Sequence, residues 1–194
     1  MLGYPPRLIT NLPDNTSFDP AEWIAQPRSV GWRVLIHKDN VYTLTGKIIL
    51  NNIGYPKTNF DYQLDVEMIN PQKQTAAKVR EALNKGIQKM EVFDAYLPFA
   101  KDMSLSDRLV FLKKELNIAV PALAVCSYDD LSRMVNTVKM YGYGRLVIKR
   151  KDSVYKISKH CCLVDHNWVK VSFTLRAIRN YQIRIVRTVK SVSR

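Results

Sequence analysis

The sequence predicts an α+β fold built on largely antiparallel sheets. Three observations carry this reading. Strand-like runs come first, helical apolar stripes occupy the middle, and strand-like runs return after Gly144. The two kinds of element do not alternate strictly, so a parallel βαβ sheet is not indicated. A chain of 194 residues fits one domain of ordinary size and can bury a core without disulfides.

The elements follow in order. Residues 1–20 are rich in Pro, Asn and Asp and read as an entry loop, with a short helical turn at Asp19–Trp23. Gly31–Lys38 and Val41–Ile49 read as strands joined by the tight turn Lys38-Asp39-Asn40. Residues 51–61 are loop, and Tyr62–Ile69 alternates as a strand does. Thr75 can cap a helix that runs to about Lys85 and stops at Gly86. Ser104 and Asp107 form a capping box ahead of the stripe Leu105, Leu109, Leu112 and Leu116. A third helix starts at Asp129 or Asp130 and places Leu131, Met134, Val135 and Val138 on one face. Met90–Tyr96 and Ala122–Ser127 read as strands between the helices. Leu146–Lys149, Cys161–Val164, Val169–Leu175 and Tyr181–Val189 read as strands after them.

Charge is the first informative deviation from an average globular chain. There are 30 Lys+Arg against 17 Asp+Glu, a net charge of +13. Such an excess favours a polyanionic partner, above all nucleic acid, although docking on acidic proteins would also use it. Three cysteines, two of them adjacent, make no disulfide framework and suit a reducing compartment. The N-terminus lacks a secretory pattern, and the longest apolar run, Ile118 to Cys126, is broken by Pro121 and too short for a bilayer. A soluble intracellular protein with no membrane partner is expected, in the cytoplasm, nucleoid or nucleus, a virus-infected cell included.

An ordered series of short motifs is more specific. It runs through Arg28-Ser29-Val30-Gly31-Trp32-Arg33, Thr43-Leu44-Thr45-Gly46 and Leu64-Asp65-Val66-Glu67-Met68. It continues through Val92-Phe93-Asp94-Ala95-Tyr96, with Arg108 in the helix behind it. Gly144-Arg145-Leu146-Val147-Ile148-Lys149 follows, with Asp152, Ser153 and Tyr155, and Trp168-Val169-Lys170-Val171-Ser172 closes it. In order and spacing this resembles the covalent nucleotidyltransferases, and the ATP-dependent DNA ligases more than the capping enzymes. The resemblance covers residues 20 to 173. It implies a single ligase-like nucleotidyltransferase (ATP-grasp-like) domain over 1–194, with antiparallel sheets flanked by helices. About 20 residues follow the last motif. They are too few for an OB-fold, so none is expected within these residues.

The resemblance also shows departures. The nucleophilic lysine of the Lys-x-Asp-Gly-x-Arg signature corresponds to Arg28, whose guanidinium stays protonated and attacks poorly. The aspartate corresponds to Val30, the turn arginine to Leu44, the metal-associated glutamate to Gly144 and the final lysine to Ser172. Groups that act as a unit fail as a unit. No catalytic residue is therefore assigned, and no cofactor is required. ATP and Mg²⁺ remain compatible if the pocket persists, with Arg28, Arg33, Glu67, Phe93, Lys149 and Lys170 as its nucleotide-binding residues. Phe93 would stack on a base and the two lysines would reach phosphates, unless they are simply core and solvent-facing side chains.

The tail at 176–194 carries Arg176, Arg179, Arg184, Arg187, Lys190 and Arg194 without an acidic residue. Tyr181 to Ile185 alternates, as a strand with one basic face would. Either it lies along phosphates or it is an ordinary charged edge strand. His160-Cys161-Cys162 with Asp165 and His166 lacks zinc spacing, so no metal is expected. The leading expectation is a non-catalytic ligase-like protein that binds nucleic acid, DNA over RNA. It would serve as a basic subunit of a replication, repair or transcription assembly with other proteins. The alternatives are an active ligase using another nucleophile, such as Lys38 or Lys47, or pre-adenylylated ends, and a structural scaffold with a filled pocket.

Overall fold

The computed structural model describes residues 7–9, 19–51, 53, 59–69, 89–158 and 164–171. Two five-stranded sheets dominate it. One has the order β5-β4-β3-β6-β7, built from Ile48–Leu50 (β5), Asn40–Tyr42 (β4), Trp32–His37 (β3), Gln63–Ile69 (β6) and Lys89–Tyr96 (β7). The other has the order β1-β10-β9-β2-β8, built from Arg7–Ile9 (β1), Val164–Val171 (β10), Arg145–Arg150 (β9), Trp23–Arg28 (β2) and Leu123–Ala124 (β8). All pairings are antiparallel except β1 with β10. The helices are Leu105–Glu115 (α1) and Tyr128–Met140 (α2). None of the described helices is long and apolar enough to cross a membrane.

Each sheet packs one face on its own helix. Leu64, Val66 and Met68 of β6 join Val34 and Ile36 of β3 against Leu112 of α1 and Leu116 just beyond it. Ala25 of β2 and Leu146 and Ile148 of β9 pack against Leu131, Val135 and Val138 of α2. A strand turns alternate side chains to opposite faces. The intervening residues, Asp65 and Glu67, Gln26 and Arg28, and Lys149, therefore leave the helix-facing cores, and all are buried. The seam between the sheets thus contains the polar face of each.

Several boundaries differ from expectation. Trp23–Arg28 is a strand and not the end of a helical turn; its helical part is only Pro20–Glu22, capped by Asp19. Pro27 lacks a ladder donor, which hides the strand in the sequence. It is tolerated because β8 pairs only with Ile24 and Ala25. Residues 1–20 are not all loop, since Arg7–Ile9 pairs with β10. Val41–Ile49 is not one strand: the amide of Gly46 donates to the carbonyl of Thr43, making a turn with Gly46 at φ +82°. Only Leu123–Ala124 of the expected strand 122–127 forms. The second helix begins at Tyr128 because the Ser127 hydroxyl accepts the amide of Asp130 as its cap. Of the strands expected at Cys161–Val164 and Val169–Leu175, the described residues 164 and 169–171 lie on one continuous strand, β10, and the rest fall outside the described residues.

Other expectations hold. Lys38 and Asp39 take φ +48° and +63°, the backbone a two-residue hairpin turn needs. Ser104 caps α1 through the amide of Asp107. The expected helix over 75–85, Cys161, Cys162 and the Tyr181–Val189 strand lie outside the described residues.

Candidate functional site

The site sits where the two sheets face each other. Arg28 ends β2, Arg33 lies on β3, Glu67 on β6, Phe93 on β7 and Lys149 on β9. Five residues named from the sequence as one group are thus brought together. Gly31 makes the crossing from β2 to β3 possible. A Cβ there would stand 2.2 Å from the carbonyl oxygen of Met68 and 2.9 Å from Cγ of Glu67.

A β-bulge aims Phe93. Asp65 pairs with Asp94 and Val66 with Val92, leaving Phe93 as the extra residue of β7. Glu91 and Asp94, three apart and out of phase in a regular strand, stand beside Glu67 and Asp65 in consequence. The freed carbonyl of Phe93 accepts from Gln26 Nε2 at 3.1 Å and from Lys149 Nζ at 3.2 Å.

The charges are paired in a definite pattern. Asp94 accepts two bonds from Arg108, at 2.8 and 3.1 Å, and one from Lys149 at 3.2 Å. Arg108 also donates to the carbonyls of Met103 and Ser153. Burial alone would raise the Asp94 pKa, but Lys149 and Arg108 outweigh it and hold the carboxyl below its usual range. Arg33 grips Asp65 with two bonds, and the Tyr155 hydroxyl donates to the same carboxylate at 2.8 Å. Burial works against the Arg33 charge, yet Asp65 raises its pKa. The buried Lys149 ammonium lies 3.7 Å from the centre of the Trp168 ring. Burial lowers its pKa to about 8 against the pull of Asp94.

Arg28 is the distinctive member. Its guanidinium is buried, paired with Glu67, and lies 3.6 Å from the centre of the Phe93 ring. Arg145 approaches the other oxygen of Glu67 at 3.6 Å. Arg28 Nε has no hydrogen-bond partner among the described residues. Burial lowers the Arg28 pKa to about 10, so the group remains charged at neutral pH. A small cleft beside it is lined by Pro27, Glu67, Glu91, Phe93 and Pro121. Glu91 accepts from the Ser29 hydroxyl and from Lys89.

Two departures from the motif series meet in space. A Cβ on Gly144 would lie 2.2 Å from Cγ2 of Val30, and the Gly144 amide donates to the Arg28 carbonyl. Val30 therefore stands where a side chain at 144 would begin. Leu44 is half-buried in the turn between β4 and β5. Lys170, on β10, pairs by backbone with Val147 of β9, and its side chain lies outside the described residues. So do Ser172, Arg176, Arg179, Arg184, Arg187, Lys190 and Arg194.

Sequence reasoning missed roles for Gln26, Asp65, Asp94, Tyr155 and Trp168. The signal was present in β6, where Asp65 and Glu67 alternate with apolar residues. Such alternation ordinarily means a solvated face, but here every residue of β6 is buried.

This arrangement of two facing antiparallel sheets, each backed by a helix, is the nucleotidyltransferase fold of the ATP-dependent DNA ligases. Among solved structures the chain is similar to a Lig E DNA ligase, at TM-score 0.63 and 13% identity, over 86% of this chain and 68% of the other. It is similar to the ligase domain of M. tuberculosis LigD, at TM-score 0.61 and 14% identity, over 86% and 58%. It is also similar to the ATP-dependent DNA ligase of bacteriophage T7 in complex with ATP, at 0.61 and 13%, over 87% and 68%. At these identities the likeness is one of fold. Neither a family model nor a curated protein matches the sequence.

Two predictions follow from the packing and charge. Gly144→Ala should cost about 0.5–1.5 kcal/mol by turning the half-exposed Val30 off its rotamer, and most of that cost should vanish in a Val30→Ala background. Denaturant unfolding of the four proteins measures the coupling, and an equal cost in both backgrounds would refute the contact. Between pH 8 and 10 an unfolded chain keeps a Lys149 proton that the folded chain releases, so stability should rise with pH. Above pH 10 the raised Tyr155 pKa opposes that trend. Urea titrations across this window should show the rise, and Lys149→Met should flatten it.

Proposed function

We propose that this chain is a non-catalytic protein of the DNA-ligase fold that binds nucleic acid through phosphate contacts, DNA in preference to RNA. It would act as a basic subunit of a nucleic-acid-processing assembly. The observation that carries the non-catalytic reading is the placement of Arg28. At the position resembling the nucleophilic lysine stands a charged guanidinium that pairs with Glu67 and covers a face of Phe93. Covalent nucleotidyl transfer needs an amine that can present a lone pair. A guanidinium with its pKa lowered only to about 10 does not supply one at neutral pH.

The residues present do not fit ATP as they stand. A purine stacking on the Phe93 face covered by Arg28 would have to displace that guanidinium and break its pair with Glu67. Val30 and Gly144 offer no carboxylate for a metal. Lys149 is fully buried and committed to Asp94 and the Phe93 carbonyl. Lys38 lies at the far end of β3, about 15–20 Å along the strand from Arg28 at the usual rise per residue.

The net charge of +13 supports the nucleic-acid part. Lig E ligases, whose fold is similar, are described as binding DNA with a minimal scaffold. The chain spans 58 to 68% of the three proteins compared above, so activities of those whole proteins are not carried over. The filled Phe93 face equally favours a second reading, a scaffold that binds neither nucleotide nor nucleic acid.

Intact-protein mass after incubation with ATP or GTP and Mg²⁺ or Mn²⁺ tests the first part. No added mass is expected on folded protein; a gain of one nucleoside monophosphate would overturn the non-catalytic reading. Binding to nicked and intact duplexes over a salt series tests the second. The logarithm of the association constant should fall linearly with the logarithm of salt, by roughly 0.9 per phosphate contacted on duplex DNA. Absence of binding at low salt would leave the scaffold.

A further inference from the structure

The most exposed large apolar side chains described are Met140 and Tyr141, 87% and 76% exposed, where α2 ends. The fold does not require them there. The buried stripe of α2 is Leu131, Val135 and Val138, and the chain then turns through Gly142 at φ +79° into β9. The amide of Tyr141 closes the helix on the carbonyl of Thr137. Its ring and hydroxyl have no hydrogen-bond, ion-pair or ring partner among the described residues.

Charge on the last turns of α2 is basic. From Leu131 to Tyr143 the chain carries Arg133 and Lys139 and no acidic residue. Lys89 of β7 lies within Coulomb reach of Tyr143 on the same turn. The nearest carboxylates are already committed, Asp130 to Arg133 and Glu91 to Lys89 and Ser29. The other exposed aromatic cluster is different. Phe60, Phe99 and Phe111 pack on one another at 5.3 to 5.8 Å beside Asp61 and Asp102. Its rings pack on one another, so their faces are partly occupied.

We propose that the Met140–Tyr141 tip is a stacking platform for an unpaired nucleobase, with Lys139 and its basic neighbours holding the adjoining phosphates. An exposed ring with free faces beside clustered cations is the combination that grips single-stranded nucleic acid without reading its sequence. Arginine and lysine supply the salt-sensitive part and the ring supplies a part that salt does not screen. This rests on the nucleic-acid reading above and adds to it a place and a preference for unpaired strands.

Fluorescence anisotropy with a labelled oligothymidylate and a blunt duplex of equal length, over a salt series, tests it. Tyr141→Ala should weaken oligothymidylate binding about tenfold with an unchanged salt slope, and Tyr141→Phe should bind as the native chain does. Lys139→Ala should instead make the slope shallower. Since Tyr141 is exposed, unfolding midpoints should stay the same and certify that the variants fold. If Tyr141→Ala binds oligothymidylate as tightly as the native chain, the platform is refuted. If the native chain binds neither DNA, the nucleic-acid reading itself fails, and the two failures are told apart by the native protein alone.

Discussion

A buried seam of charge between two sheets is the constraint on which the structure depends. Arg28, Arg33, Arg108 and Lys149 face Asp65, Glu67 and Asp94 there, around the rings of Phe93, Tyr155 and Trp168. Desolvating these ions is expensive, and their pairing returns the cost only if geometry and hydrogen bonding are nearly complete. Asp94 meets that demand with Arg108 and Lys149, which come from α1 and β9, and so joins the two halves of the fold. Asp65 does the same with Arg33 and Tyr155. The seam contributes little net stability by itself, but truncating one partner would leave a buried charge alone. It therefore fixes how the sheets sit on each other more than how strongly they adhere.

Arg28 belongs to this seam. A lysine in its place would present a compact ammonium, strongly hydrated and easily lowered in pKa by burial. The planar guanidinium instead sits over the Phe93 ring and reaches Glu67 at once. The guanidinium is a good filler: it pairs with a carboxylate and lies against an aromatic ring. The bulge at Phe93 matters to both halves of this arrangement. It turns the ring toward Arg28 and turns the carbonyl toward Gln26 and Lys149.

Much of the fold was legible because its helix-facing halves obey simple periodicity. The stripes of α1 and α2, the cap at Ser104 and the turn at Lys38-Asp39 follow from local chemistry, and structure and sequence agree on them. The strand at Trp23–Arg28 was not legible, because Pro27 and the continuous burial of Trp23 to Gln26 give no alternation. The seam was only half legible. Ordered motifs drew Arg28, Glu67, Phe93 and Lys149 together, yet Asp65 and Asp94 look in sequence like polar residues on a wet face. Burial on both faces of a sheet depends on what the second sheet brings, and no local pattern encodes that.

The contact of Val30 with Gly144 bears on how such a site could change. Two positions far apart in sequence, where the resembling motifs hold an aspartate and a glutamate, here share one volume. With Val30 in place, a side chain at 144 has its first carbon 2.2 Å from a methyl group. A side chain at 144 alone would thus require Val30, which is 40% exposed, to turn its methyl aside. A carboxylate at 30 alone would stand at a position that is 40% exposed, beside the Gly144 backbone. Arg28 imposes a similar order of events, since freeing the Phe93 ring also frees Glu67 from its cation. Positions 28, 30, 67, 93 and 144 are physically linked through packing and charge, so a change at one alters what its neighbours can accommodate.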